Sequence, residues 1–182
     1  IIDIGGESSR PGAAPVSVEE EKERILPVIE KISEEISVPI SVDTCKAEVA
    51  RSALEKGASI INDISGLRFD SEMAPVVAET GAGLILMHMQ GTPRTMQKNP
   101  HYDDLMTEIA VFLHRSCEKA LAAGVEKEQI VIDPGIGFGK GENDNFQIIN
   151  RLAELTSMGY PLLMGVSRKS FIGKTLHVPE EE

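Results

Sequence analysis

The feature that most constrains the fold is a regular alternation of short apolar runs with longer amphipathic stretches. Each run is rich in Ile, Val and Leu, and the stretch after it carries apolar residues at helical spacing. Such an alternation predicts a parallel sheet that is covered by helices on both faces. The predicted strands span residues 1–4, 38–42, 58–61, 83–87, 130–132 and 161–166.

N-cap residues predict where the helices between the strands begin. Ser17, with Glu20 three residues later, predicts the N-cap of the first helix, and Pro27 predicts a kink inside it. Thr44 predicts the cap of the second helix, and Asp70 predicts the cap of the third. Two further helices are predicted over residues 102–123 and 145–155.

The sixth unit is predicted to lack its helix. The chain ends on Pro179 and three Glu residues, which are typical of the first turn of a helix. The chain also begins without Met inside a strand-like run. We therefore expect that both ends are shortened relative to a longer protein.

Polar residues follow the predicted strands and decide between two α/β architectures. A doubly wound sheet usually carries G-x-G-x-x-G after its first strand, and GGESSRPG lacks that spacing. A (β/α)8 TIM barrel gathers its strand ends on one face, where active sites are built. The sequence therefore predicts a barrel of which about six βα units are present. The strand-end residues are Glu7, Asp43, Asn62, His88, Asp133 and Lys169.

Composition excludes several function classes. With 182 residues, of which 41% are hydrophobic, the chain suffices for a single domain over residues 1–182. The net charge of -11 argues against nucleic acid or an anionic membrane as the main partner. Only two cysteines are present, far apart, which fits a reduced, cytoplasmic protein. No apolar run approaches the roughly 18 residues that cross a bilayer.

The segment IVIDPGIGFGK, residues 130–140, is the most informative motif. A buried strand ends at Asp133, and glycines around Phe138 form a tight loop that Lys140 closes. Glycines let the backbone approach a ligand that side chains would block. Asp133 is thus a candidate ligand-binding acid, and the alternative is that it only caps a turn.

Two acids and one amide form a set that suits a flat heterocycle with amino and lactam groups. Carboxylates accept hydrogen bonds from N–H groups, and an amide offers both a donor and an acceptor. Apolar side chains could sandwich such a ring, although Ile64 and Met87 taken alone are more typical of the core. The polar set is Asp43, Asn62 and Asp133, and the apolar set is Ile64, Met87 and Phe138.

Cations are placed where they could act on the same ligand. Lys169 follows a strand directly, and we expect it to pair with Asp133, because an unpaired buried ammonium is costly. Arg10 lies in a Pro- and Gly-rich loop. His88 is interpreted as a hydrogen-bonded structural residue. No spacing of His or Cys typical of a metal site is present.

Six segments resemble, in order and spacing, the motifs of the bacterial dihydropteroate synthase family: GGESSRPGA, SVDTCKAEV, GASIINDISGL, LMHMQGTPRTMQ, IDPGIGFGK and MGVSRKSFIG. The resemblance implies a (β/α)8 barrel of which strands 2 to 7 are present. It also implies condensation of 6-hydroxymethyl-7,8-dihydropterin diphosphate with 4-aminobenzoate, giving 7,8-dihydropteroate and diphosphate in folate biosynthesis. Sulfonamide inhibitors as competitors of 4-aminobenzoate, a homodimer and a requirement for Mg²⁺ are further expectations.

The resemblance also implies roles for individual residues. The implied pterin-binding residues are Asp43, Asn62, Ile64, Met87, Asp133, Gly165 and Lys169. The implied 4-aminobenzoate-binding residues are Ser9, Arg10, Pro11, Phe138, Lys169 and Ser170. The implied catalytic residues are Asp43, Asp133, Lys169 and Arg10. Ser9 stands where the family commonly has Thr, which also carries a hydroxyl.

The family has two elements that this sequence does not contain. One is a first strand and loop that supply a Mg²⁺ ligand, so we expect no metal ligand within this segment. The other is a last strand with an Arg-x-His motif that holds the diphosphate. Two alternatives therefore stay open: a pterin-binding methyltransferase domain, and an inactive pterin-binding fragment.

Overall fold

A single parallel sheet organises the chain, whose computed structural model describes residues 1–178. Its strand order is β1-β2-β3-β4-β5, and all neighbouring strands are parallel. A doubly wound sheet reverses its order near the middle, whereas a barrel keeps the order of the chain. The order confirms part of a (β/α)8 barrel. The strands are β1 (Ile2–Gly5), β2 (Ile40–Asp43), β3 (Ile60–Asp63), β4 (Gly83–Met87) and β5 (Ile130–Asp133).

Helices connect these strands and cover the sheet. Short 3-10 helices at Lys127–Gln129 and Leu152–Met158 precede β5 and follow α5. No helix among residues 1–178 is both long and apolar enough to cross a membrane. The helices are α1 (Val18–Glu35), α2 (Ala47–Glu55), α3 (Met73–Thr80), α4 (Leu105–Ala122), α5 (Glu142–Arg151) and α6 (Ser170–Leu176).

The first helix begins where its cap predicts. The Ser17 hydroxyl accepts a hydrogen bond from the Glu20 N–H at 3.1 Å, which satisfies one of the N–H groups at the helix start. The helix is continuous through Pro27. Ile25 and Ile29, four residues apart, are fully buried on its inner face.

The second helix is capped by a distant residue. The prediction that Thr44 caps it is wrong, because the helix begins at Ala47, and the Asp70 carboxylate accepts from the Ala47 N–H at 2.8 Å. Thr44 instead accepts from the Lys46 N–H at 3.2 Å. Asp70 thereby ties the start of α2 to the loop before α3.

The third helix begins later than the sequence predicts. Its first residue is Met73, three positions after Asp70, whose other oxygen accepts from the Glu72 N–H at 3.0 Å. Gly81 ends the helix in the left-handed conformation, as its position predicts.

The sixth unit corrects two expectations. Residues 161–166 do not form a strand: one parallel bridge joins Leu162 to Ile132, and pairing then stops. Ile132 donates to the Pro161 carbonyl and accepts from the Leu163 N–H, so the next donor on this side would be the N–H of residue 134, and Pro134 has none. The sixth helix is present as α6. The predicted helical turn at 179–182 lies outside the described residues.

The main core lies between the sheet and the helices, and a smaller cluster lies apart from it. In the main core, fully buried side chains of β4 and β5, such as Leu84 and Ile132, pack with those of α1, α2 and α4. The smaller cluster gathers loop residues with the end of β4. Its buried members are Ile64, Met87, Met89 and Met96, with Cys45 and Phe138 packed against them.

Candidate functional site

The polar strand-end residues lie at one edge of the sheet. The ladder places Asp43 of β2 directly beside Asn62 of β3, and Met87 of β4 directly beside Asp133 of β5. Because all the strands run in parallel, their carboxyl ends meet on the same side. The sheet thus brings the predicted acids and amide to one face, and the small apolar cluster lies with them.

Asp43 is surrounded by other acids. Burial raises the pKa of its carboxyl to about 7, and the nearby carboxylates of Asp3, Asp63, Glu21 and Glu7 add to the rise. A carboxyl with so much negative charge around it favours any ligand that brings N–H donors or positive charge. Asp43 is half-buried, so such a ligand can reach it.

Asp133 both caps a turn and stays available. Its side chain is buried, and one carboxylate oxygen accepts from the Gly135 N–H at 2.7 Å. Burial raises its pKa to about 6, against the opposing effects of that hydrogen bond and of Lys140 and Lys169. The turn-capping interpretation is therefore correct for one oxygen, while the other accepts no hydrogen bond within residues 1–178.

The backbone at Gly135 excludes every other residue type. Its φ is +70°, and a Cβ there would lie 1.9 Å from the His88 carbonyl oxygen. The end of β4 and the loop after Asp133 are therefore in backbone contact. This contact explains why the motif needs a glycine two residues after the acid.

Lys169 lies close to both acids but touches neither. Its Nζ is 4.3 Å from the centroid of the Phe138 ring, a cation–π contact. Burial lowers the pKa of Lys169, while the charges of Asp133 and Asp43 oppose that shift. The predicted Lys169–Asp133 ion pair is wrong as a direct contact, because the ammonium faces the aromatic ring instead. Its charge nevertheless acts on both carboxylates.

The apolar residues of the predicted pocket belong to the small cluster. Ile64 and Met87 are 7% and 3% exposed, and both pack at the strand ends with Phe138 rather than in the main core. This location separates them from ordinary barrel core and leaves them beside the acids. Ile64 also lines a cavity of about 230 Å³ next to Asp43.

One predicted residue of the Pro- and Gly-rich loop that carries Arg10 lines that cavity. Ser9 lines it, together with Glu7 and Cys45. Arg10 and Pro11, in the same loop, are exposed to solvent. The structure thus brings Ser9 to the site but does not bring the other two into contact with it.

Two predicted residues near the chain end are also open to solvent. Gly165 is exposed, and a Cβ added there would meet no atom within 4 Å. Ser170 is exposed as the first residue of α6. Both lie in the segment that carries Lys169, beyond the point where pairing with β5 stops.

Sequence reasoning missed a lysine that joins two acids. Lys46 Nζ donates to a Glu7 carboxylate oxygen at 2.5 Å and also forms an ion pair with Glu21. Glu21 is 1% exposed, and its second oxygen has no hydrogen-bond partner among residues 1–178. No local signal predicts this group, because the partners are 39 and 25 positions from Lys46.

Sequence reasoning also gave no role to Lys140. Its Nζ is buried and lies 2.9 Å from Nδ1 of His88 and 2.9 Å from the Phe138 carbonyl oxygen. Burial lowers the pKa of His88 to about 2, and the Lys140 charge contributes. His88 is therefore neutral and hydrogen-bonded, which confirms its interpretation as a structural residue. The signal for Lys140 in the sequence was its position between two glycines with no acid next to it.

The acids of this face are not arranged as a metal centre. Within residues 1–178, no group of three or more His, Cys, Asp or Glu side chains could hold a metal ion. Two of the acids next to Asp43, Glu7 and Glu21, are occupied by the Lys46 ammonium. The residues described here therefore do not fit Mg²⁺.

Comparison with known proteins identifies the family. The family model described as "Pterin binding enzyme" matches residues 1–182. The chain belongs to the pterin binding enzyme family. Among its curated relatives, the dihydropteroate synthases of Synechocystis sp. and Escherichia coli K12 are 50% and 49% identical over 99% and 100% of the chain. This pterin binding enzyme chain spans 62% and 64% of the length of those two relatives.

Solved structures of family members share this fold. The Yersinia pestis dihydropteroate synthase in a sulfonamide drug complex superimposes with a TM-score of 0.95 at 47% identity, covering 99% of this chain and 65% of that one. The Clostridium difficile enzyme, determined in the presence of pteroic acid, gives 0.92 at 46% identity, covering 99% and 66%. The Thermus thermophilus enzyme in complex with 4-aminobenzoate gives 0.90 at 43% identity, covering 99% and 68%.

Proposed function

We propose that this pterin binding enzyme chain is a single pterin-binding domain that carries the central part of a dihydropteroate synthase site. The reaction joins 6-hydroxymethyl-7,8-dihydropterin diphosphate to 4-aminobenzoate. The observation that carries the proposal is the meeting of Asp43, Asn62 and Asp133 at one sheet edge, beside Lys169 and a separate apolar cluster. The relatives' name and their ligands support it.

Pterin recognition follows from the donors and acceptors of the three strand ends. The carboxylates of Asp43 and Asp133 would accept from the ring N–H and amino groups, and the Asn62 amide would pair with a neighbouring donor and acceptor. Ile64 and Met87 would contact a face of the ring. Both acids have a raised pKa in the free protein, so bound N–H donors would favour their ionised forms.

Recognition of 4-aminobenzoate would use the outer part of the site. A benzoate carries negative charge, and Lys169 supplies an ammonium already held above the Phe138 ring. Ser170 and the loop residues Ser9, Arg10 and Pro11 would complete this side. Because Arg10 and Pro11 are exposed, closing the loop over the ligand would be needed to bring them in.

The chemistry is substitution at the methylene carbon attached to the pterin ring. The C–O bond to diphosphate breaks with its electron pair leaving on the diphosphate oxygen, and the amine nitrogen of 4-aminobenzoate forms the new C–N bond and releases one proton. The ring spreads positive charge as the C–O bond breaks. The acid-rich surroundings of Asp43 would stabilise that charge. A closed loop would exclude water, which would otherwise trap the carbon.

Several finer expectations stay predictions. Diphosphate stabilisation by Mg²⁺ would need residues other than those described, and activity measured with and without added magnesium tests it. Competition by sulfonamide inhibitors would follow from the same 4-aminobenzoate side. A homodimer and a cytoplasmic location are tested by sedimentation of the protein and by cell fractionation.

The deciding experiment measures dihydropteroate formation by this chain and by a chain extended at both ends to the length of its curated relatives. Product from the extended chain, together with binding of pteroic acid by the short one, is the expected result. Pteroic acid binding without product from either chain would favour a pterin-binding protein without synthase activity. Methyl transfer from methyl-tetrahydrofolate to cobalamin would instead favour a methyltransferase domain.

A further inference from the structure

The ammonium of Lys140 is enclosed by protein and fully hydrogen-bonded. Its side chain is 3% exposed, and three acceptors surround Nζ: Nδ1 of His88 at 2.9 Å, the Phe138 carbonyl at 2.9 Å and the His88 carbonyl at 3.3 Å. An ammonium has three donors and no acceptor, so each donor meets one acceptor. When Nζ is protonated, Nδ1 of His88 accepts and the ring proton is on Nε2.

His88 is a rigid partner for this ammonium. Its ring packs edge-on against Phe112 at 4.8 Å between centroids and lies 6.0 Å from the ring of Tyr102. Its backbone N–H donates to the Asp133 carbonyl at 2.9 Å. The end of β4 is therefore fixed on several sides, and Lys140 is anchored to it.

The other end of the contact is the glycine loop. Lys140 holds the carbonyl of Phe138, and the Phe138 ring lies beneath the Lys169 ammonium at 4.3 Å. Additional bonds hold the same loop: Gly137 N–H donates to the Asn145 side chain at 2.7 Å, and the Tyr102 hydroxyl donates to the Gly139 carbonyl at 2.5 Å. Lys140 differs from these because its Nζ donates to the carbonyl of Phe138 itself.

We propose that Lys140 is a positioning residue: its ammonium, anchored by His88, fixes the glycine loop so that the Phe138 ring supports Lys169 in the ligand pocket. The inference rests on the proposed function only for the identity of the ligand. The loop geometry itself can be measured without any ligand.

The charges around Lys140 fit this role. Among residues 1–178, no carboxylate is in contact with its Nζ. Asp133 and Asp144 attract the ammonium from a distance and Lys169 repels it, while burial lowers its pKa to about 7. Burying an ammonium against uncharged acceptors costs free energy of desolvation. Such a group is expected where its hydrogen bonds hold a functional geometry. The neutral imidazole of His88 is the fourth titratable group facing it.

The test replaces the ammonium and observes Phe138 by ¹⁹F NMR of protein labelled with fluorophenylalanine. The chain contains five Phe residues, and a Phe138→Leu variant assigns the resonance. In Lys140→Met, the Phe138 resonance is expected to shift or broaden. Phe146 and Phe171, which pack against each other at 5.1 Å on α5 and α6, serve as internal references and should not change.

Ligand affinity gives the second measurement. Pteroic acid, whose benzoate would lie over Phe138, is expected to bind Lys140→Met with a Kd that is about tenfold higher. The affinity for 6-hydroxymethylpterin, which would lie against the strand-end acids, should fall much less. Lys56→Met, which removes an exposed lysine paired with Glu30, controls for the change in net charge and should bind both ligands normally.

Two outcomes would overturn the proposal: an unchanged Phe138 resonance in folded Lys140→Met, or equal loss of affinity for both ligands. If Lys140→Met does not fold, the double variant His88→Phe/Lys140→Met removes the Nζ donor together with the imidazole acceptor, so that only the carbonyls of Phe138 and His88 lose a donor. It should show the same change at Phe138, and an unchanged resonance there counts against the proposal. If the unaltered protein binds neither ligand, the proposed function fails, and the ¹⁹F measurement still decides the role of Lys140.

Discussion

Each side of the site contains a lysine, and the two lysines differ in their partners and in the direction of their pKa shifts. On the β1–β2 side, Lys46 contacts the carboxylates of Glu7 and Glu21; burial lowers its pKa, but hydrogen bonds to these two acids outweigh that effect and raise it. On the β4–β5 side, the acceptors that Lys140 contacts within the described part of the chain are all uncharged, and burial lowers its pKa to about 7.

The difference separates two tasks of one site. The acids next to Asp43 outnumber the single lysine beside them, so that side keeps a surplus of negative charge for a ligand that develops positive charge. The Lys140 side contributes geometry, since its Nζ fixes the glycine loop to His88. Removing a lysine should therefore cost folding stability on the first side and ligand-pocket geometry on the second.

The largest expected effect tests the first side of this comparison. Lys46→Met leaves Glu21 buried without its counter-charge, and we expect a loss of about 3 kcal/mol in the free energy of unfolding, the lower end for a broken buried pair because Lys46 is partly exposed. Urea denaturation measures it. A loss no greater than that of a surface ion pair would show that Glu21 does not depend on Lys46.

The next effect concerns ligand binding rather than folding. Asp133→Asn exchanges one acceptor for a donor at the pterin edge, and affinity for 6-hydroxymethylpterin is expected to fall on the order of 10- to 100-fold, the value of one hydrogen bond to a charged group. Isothermal titration calorimetry measures the affinity. Unchanged binding would contradict the role assigned to Asp133.

A smaller change in the free energy of unfolding, a stabilisation, is expected for Asp43→Asn. Because the folded-state pKa of Asp43 is about 7 and its ordinary value is 3.8, the unfolded chain releases this proton first, and stability falls as the pH rises from about 4 to 7. Asp43→Asn removes that cost, so we expect a gain of roughly 1–2 kcal/mol near pH 8 and almost none near pH 4, after allowing for partial exposure. Thermal unfolding at the two pH values measures the difference, and an equal effect at both would refute it.

The smallest effect is the control for the first. Arg51 lies on α2, the helix that begins directly after Lys46 at its N-cap, and its ion pair with Glu79 is on the surface, with side chains 46% and 59% exposed. Arg51→Met should change the free energy of unfolding by no more than about 0.5 kcal/mol. A loss as large as that of Lys46→Met would mean that burial does not explain the comparison.

The sequence predicts those parts of the molecule that depend on neighbours along the chain. Apolar runs and their polar ends locate five strands and place Asp43, Asn62 and Asp133 at one edge. Residues 161–166 have the composition of a strand, but pairing there depends on an N–H donor just after β5, where Pro134 has none. Composition alone does not contain that information.

The hydrogen bonds and ion pairs that hold the site could not be predicted, because their partners are far apart in sequence. Lys140 and His88 are separated by 52 positions, and Lys46 and Glu7 by 39. The expected contact of Lys169 with Asp133 is missing, and the ammonium lies over the Phe138 ring instead. Opposite charges at strand ends indicate proximity, and packing decides which groups touch.

A crystal structure of the protein with pteroic acid bound tests the central claim most directly. The account predicts that the pterin ring contacts Asp43, Asn62 and Asp133, with its benzoate directed toward Lys169 and Phe138. Electron density for the ligand elsewhere would contradict it, for example in the second cavity, of about 550 Å³, which Tyr102 and Arg115 help to line.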